Sequence, residues 1–250
     1  MSPIWDSEII YDEFLTMVRS NGVCQAPLLF EPEEILSVTS ADKLTEYEES
    51  VDWVVHENML CLTEGSRIFA FDENELIFDT CKPEESFPTT DGKYSLFKEE
   101  HFFHDRQIAV TYKKADGNLM FAPKFQRDLL PKTMAKLYGH ESIKVVLFGD
   151  SIAAGANSSG ITLTTPFLPR WGNLFVESLR RHYNTKVEFI NPSVGGKDSY
   201  WGLECAKSKV ADYKPDLAII AFGMNDRDRG EAFAERIRKI MGCIRETSPK

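Results

Sequence analysis

The chain has 250 residues, 42% of them apolar and 27% charged, with a net charge of −10. That length builds one large domain or two small ones, and no apolar run reaches the roughly 18 residues a membrane-spanning helix needs. Residues 1–140 carry 13 Lys+Arg against 26 Asp+Glu, whereas residues 141–250 carry 16 against 13; this predicts two differently built parts and argues against nucleic acid as a partner of the acidic first one.

Met1 to Asp6 has neither the basic nor the apolar stretch of a signal peptide. The cysteines at 24, 61, 81, 205 and 243 show no CxxC spacing, so neither a zinc site nor a disulfide framework follows. Reduced, mostly buried thiols are expected, and with them a cytoplasmic location. A bridge among Cys24, Cys61 and Cys81 stays open at this point.

Residues 1–130 read as an all-β sandwich of short strands. Tyr11 to Val18 is ambiguous, because Tyr11, Phe14, Leu15 and Val18 also fit one face of a helix. Strands are expected at 35–38, 51–55, 59–62, 68–71, 76–78, 94–97 and 108–112. Spacings near ten residues, and turns at Glu64-Gly65-Ser66, Asp91-Gly92 and Asp116-Gly117-Asn118, support the sandwich. The join between the parts is expected between Pro123 and His140. There Pro131 opens a short helix and Gly139 closes it.

Residues 141–250 alternate strand and helix. Ile143 to Phe148 is a continuous apolar run that stops at Gly149-Asp150-Ser151, as a buried strand of a parallel sheet does. Val187 to Ile190 runs into Asn191-Pro192-Ser193-Val194-Gly195-Gly196, and Leu217 to Phe222 into Gly223-Met224-Asn225-Asp226. Trp171, Leu174, Phe175 and Leu179 mark a helix between the first two strands. Leu203, Ala206 and Val210 mark the next; Phe233, Ile237, Ile240, Met241 and Ile244 mark the last. Such alternation means βαβ units. Open α/β sheets bind their ligands at the carboxyl ends of the strands. Three such ends here carry a hydroxyl, a glycine backbone and a carboxamide, which is an acyl-transfer site in outline. It is neither a G-x-S-x-G elbow nor a P-loop.

These three blocks resemble those of the SGNH/GDSL hydrolases, serine esterases on a flavodoxin-like sheet. The resemblance covers residues 141–250. It implies Ser151 as nucleophile and an oxyanion hole of the Ser151 N–H, the Gly196 N–H (with Gly195 the less favoured alternative) and the Asn225 side chain. Asp150 is read as a supporting acceptor that fixes the loop. The sandwich ahead of the Gly-Asp-Ser domain is similar to the jelly-roll module of acetylxylan-esterase-like members. The implied substrate is a small acyl ester, such as acetyl on a carbohydrate, with no cofactor, metal or membrane.

In that family an Asp-x-x-His pair orients and supplies the general base. No such pair follows Asn225, and no histidine follows His182. The expectation is a hydrolase domain cut short, with three strands where the flavodoxin-like sheet has about five, and with self-association or a missing C-terminal segment covering the open edge. His182 is expected in the last turn of a helix, and His140 at the opposite end of the sheet from Ser151. His101 and His104 have ligand-like spacing but no third ligand. Tyr200 and Trp201 are left between sugar stacking and core packing; Trp171, at the head of an apolar stripe, is left between lining the site and core packing. A rival reading is a non-catalytic carbohydrate-binding or scaffold protein that keeps the fold.

Overall fold

The computed structural model describes residues 6–115 and 126–247. The turn expected at 116–118 and the beginning of the join lie outside them. Two compact units emerge, one of residues 2–122 with 162–168 and the other of 123–161 with 169–250.

The first unit holds β1 (Ile9–Thr16), β2 (Val18–Ser20), β3 (Val23–Pro27), β4 (Pro32–Ser40), β5 (Trp53–His56), β6 (Met59–Leu62) and β7 (Phe71–Asp72). A single helical turn, α1 (Glu73–Leu76), precedes β8 (Ile77–Phe78), β9 (Ser86–Pro88), β10 (Tyr94–Leu96) and β11 (Gln107–Lys114). They form three sheets, ordered β1-β11-β4, β5-β6-β3-β2-β7 and β8-β10-β9. The ambiguous stretch 11–18 is strand, not helix. The register of β1 on β11 shifts between Ile10 and Glu13, and one bulge reverses which face successive side chains take. Buried Ile10 and Leu15 therefore share a core at a spacing no regular strand allows, whereas Tyr11 of the helix-like set is exposed. Of the expected strand at 68–71 only Phe71 is extended into a ladder, and β2, β3 and β9 were not anticipated. One apolar cluster, including Ile10, Leu15, Val38, Leu60, Val110 and Tyr112, unites the two larger sheets.

In the second unit α2 (Pro131–Tyr138) opens on Pro131 and is capped by Gly139. It leads into β12 (Ile143–Gly149), followed by α3 (Ser151–Ala154), α4 (Ser159–Thr162) and α5 (Trp171–Tyr183). Then come β13 (Val187–Ile190), α6 (Ser199–Lys209), β14 (Leu217–Ala221) and α7 (Glu231–Thr247). The sheet is parallel with order β13-β12-β14, so the Gly-Asp-Ser strand is central. Successive β12 side chains enter opposite layers. Ile143 and Val145 pack with Val176 of α5 and Met134 of α2, whereas Val146 and Phe148 pack with Ala206 of α6 and Ile240 of α7. Asp216 anchors the foot of the sheet: its carboxylate accepts from Lys136 Nζ at 2.6 Å and from the Lys144 N–H at 2.8 Å.

Candidate active site

Gly149 is glycine because β12 and β14 touch there. A Cβ on it would overlap the Ala221 carbonyl oxygen and come within 2.8 Å of the Ala153 Cβ. Asp150 follows as the N-cap of α3, buried, with its carboxylate accepting the Ile152 N–H at 2.9 Å, as a capping aspartate does. Ser151 is thereby held half-buried at the carboxyl end of the central strand. Gly155, at φ +74°, ends the turn in the left-handed conformation that suits glycine.

The second block folds onto the first. The Val194 N–H donates to the Gly149 carbonyl at 3.1 Å, and the Ser193 hydroxyl to the Leu147 carbonyl at 3.2 Å. A Cβ on Gly195 would sit 3.7 Å from the Ser151 Cβ, whereas Gly196, at φ +72°, faces open space. The third block is tied in turn to the second: Asn225 Nδ2 donates to the Lys197 carbonyl at 2.9 Å. Ser151, the Gly195-Gly196 turn and Asn225 thus occupy one edge of one sheet.

The histidines of this unit lie elsewhere. His140 precedes β12, its Nδ1 2.6 Å from the Tyr183 carbonyl oxygen, and His182 is in the last turn of α5 against Tyr183. Both are at the opposite edge, a strand's length of about 20 Å from Ser151. In the other unit His101 Nδ1 pairs with Asp105 at 2.5 Å, and His104 Nε2 lies 2.6 Å from the Thr165 carbonyl. Among the described residues no group of three or more His, Cys, Asp or Glu side chains could hold a metal, no helix is long and apolar enough to cross a membrane, and all five cysteines are free.

The aromatic residues separate. Trp201 packs in the core, 5.4 Å from Phe148 between ring centres. Trp171 is partly exposed, yet its Nε1 donates to the Ile152 carbonyl at 2.8 Å and so braces α3. Tyr200 is exposed, with the Arg236 guanidinium 3.9 Å over its ring. Arg236 escaped the sequence reading. It lies in the apolar stripe of α7 but is an ion, buried against Asp226 and paired through two nitrogens with Asp228 at 2.7 and 2.6 Å. That guanidinium holds the Asp228 carboxyl below its ordinary range. The available signal was its spacing, three residues after Phe233 and four before Ile240, which puts it on the apolar stripe while its charged neighbour Glu235 is off it. A cleft of about 940 Å³ in the first unit, beside Arg19, Asp72 and Asp91, contains none of these groups.

Residues 147–250 match the model of the GDSL-like Lipase/Acylhydrolase family. This part of the chain is similar to that family. An arylesterase of Vibrio mimicus is 28% identical over 109 residues, covering 42% of this chain and 50% of that protein. A two-domain esterase (CEX) active on acetylated mannans is 25% identical, with a TM-score of 0.41, over 47% of this chain and 30% of that one. TesA is 24% identical, with a TM-score of 0.34, over 43% and 57%. The chain thus spans half the length of the arylesterase and under a third of the mannan esterase.

Proposed function

We propose that this GDSL-type unit hydrolyses carboxylic esters with Ser151 as nucleophile. The observation that carries the reading is the assembly of three family blocks on adjacent strand ends, with Gly195 against Ser151 and Asn225 bonded to the loop that follows Gly196. In the reaction Ser151 Oγ attacks the ester carbonyl carbon while a base takes its proton. The carbonyl oxygen becomes an oxyanion that the Ser151 and Gly196 N–H groups and Asn225 Nδ2 receive. Collapse expels the alcohol with a proton, and water then releases the acid from the acyl-enzyme. Neither His140 nor His182 can take the proton from the far edge, so the reading assigns it to a base outside the described residues of this unit.

The substrate class we propose is a small acyl ester, with acetyl on a carbohydrate the favoured case. It rests on the resemblance of the Gly-Asp-Ser domain and its leading β unit to acetylxylan-esterase-like proteins. The leading unit we read as a sandwich, because one apolar cluster serves its two larger sheets, with the boundary between Pro123 and His140. The test is hydrolysis of p-nitrophenyl acetate by wild type and Ser151→Ala, with imidazole supplied as a base. Turnover that depends on Ser151 is expected; equal rates for both proteins would refute the assignment.

A further inference from the structure

The third block is held by a buried ion cluster for which ester hydrolysis by itself gives no reason. Asp226 and Arg236 expose only 2% and 8% of their side chains, and Ser199 between them is fully buried. The Ser199 N–H lies 3.1 and 3.2 Å from the two Asp226 oxygens, and its hydroxyl donates to Asp226 Oδ1. Arg236 Nε donates to Ser199 Oγ at 2.8 Å, and another guanidinium nitrogen lies 3.4 Å from Asp226 Oδ1. Arg236 then spans to Asp228 through its paired contacts.

Packing alone does not call for this arrangement. Arg236 sits on α7 among Phe233, Ile237 and Ile240, where a methionine or leucine would bury without desolvating a charge. Replacing a buried ion cluster by apolar side chains is often neutral or stabilising. What the cluster adds is geometry. Residues 225 and 226 are joined to residues 197 and 199 at two successive points, through Asn225 Nδ2 to the Lys197 carbonyl and through the Asp226 carboxylate to Ser199. A carboxamide nitrogen has two hydrogens. Committing one to Lys197 fixes the plane of the amide and leaves the other for a ligand oxygen. Lys197 directly follows Gly196, so the same joint sets the spacing between the two donors of the oxyanion hole.

We propose that Asp226, Ser199 and Arg236 form a positioning clamp that fixes the Asn225 amide relative to the Gly196 N–H. The clamp rests on the reading of Asn225 as an oxyanion donor. None of its three residues touches substrate. A donor displaced by an ångström loses much of its effect on turnover, while substrate binding, which relies on other contacts, changes little.

The experiment pairs a signature of Asn225 with kinetics. The Asn225 side-chain amide is identified in a proton–nitrogen correlation spectrum by its disappearance in Asn225→Ala. Ser199→Ala removes two links and leaves no charge unpaired, so it should fold where Arg236→Met fails to; Arg236→Lys keeps the charge but loses the fork. In Ser199→Ala the Asn225 amide pair should move toward free-amide positions and exchange faster with water, with core methyl shifts and melting temperature retained. Ester turnover should fall roughly 10–10²-fold in kcat with KM little changed, and Ser199→Thr should restore both. An unmoved Asn225 amide, or a moved one with unchanged kcat, overturns the clamp. Failure of the hydrolase reading looks different, because wild type and Ser151→Ala would then hydrolyse ester equally.

Discussion

The Asn191 side-chain amide donates to the Ala153 carbonyl at 2.9 Å, joining the end of β13 to the turn that bears Ser151. Its Oδ1 accepts the Ser193 N–H at 3.2 Å, so one side chain sets both the second block and the end of α3. Asn191→Ala leaves a carbonyl at buried Ala153 without its donor, at a cost of about 1–3 kcal/mol. A lowered denaturation midpoint is expected, together with loss of Ser151-dependent turnover. A variant as stable and active as wild type would show that this joint is dispensable.

Gly149 tolerates no side chain. In Gly149→Ala the new methyl meets the backbone of β14 at the Ala221 carbonyl and the Ala153 Cβ, and neither can rotate away. Overpacking of this kind costs typically about 1–3 kcal/mol, and here it would push β14 from β12 at the active edge. Thermal melts of the variant should fall by several degrees. An unchanged melt would mean that the strands part freely.

Asp52 makes the first unit sensitive to acid. Its carboxylate is fully buried and accepts from the Glu48 N–H, the Arg67 N–H and two Arg67 side-chain nitrogens. Those bonds, chiefly from the Arg67 side chain, hold its pKa well below the carboxylate range. A depressed folded-state pKa stabilises above the unfolded value near 3.9, and the contribution disappears as pH falls through the folded one. Asp52→Asn should cost about 2–3 kcal/mol at neutral pH, less than a fully buried pair because half of the Arg67 side chain is exposed. It should also flatten the decline in stability below about pH 4. Parallel acid limbs in the two proteins would assign that decline to other carboxylates.

The site was more legible than the scaffold around it. Gly149, Gly196 and Asn225 stand out as candidates because each lies at or shortly past the carboxyl end of an apolar run of a parallel strand, and local sequence decides such ends. The first unit hid its strands for a physical reason. The bulge near Asp12 breaks the period-2 pattern of β1, and pairings such as Thr16 with Gln107 join residues far apart in the chain. Arg236 stayed invisible because a charge on a helix ordinarily faces water, and only Asp226 and Ser199, brought together by the fold, make its burial tolerable.

One edge of the sheet is open among the described residues. Among the described residues β14 is paired only with β12, and a groove of about 200 Å³ beside it is lined mainly by apolar residues such as Leu217, Ile220 and Met241, with Asp216 and Arg245 also on its wall. Unpaired edges and apolar grooves recruit another chain or segment. This chain should therefore show concentration-dependent association in sedimentation velocity. A monomer at all concentrations, with one sharp cooperative melt, would show that the edge is satisfied as it stands.

We propose that three strand ends assemble one oxyanion site beside Ser151. The measurement that tests it most directly is deacetylation of an acetylated sugar by wild type, Asn225→Ala and Ser151→Ala, with imidazole as added base and with glycan affinity measured alongside. Asn225→Ala should lose about 10²–10³-fold in kcat with KM nearly unchanged, because one donor to the developing charge is gone. Ser151→Ala should lose the base-dependent turnover altogether. If all three proteins turn over at one rate while glycan affinity is strong and depends on Tyr200, the chain is a binding module and the site described here is not catalytic.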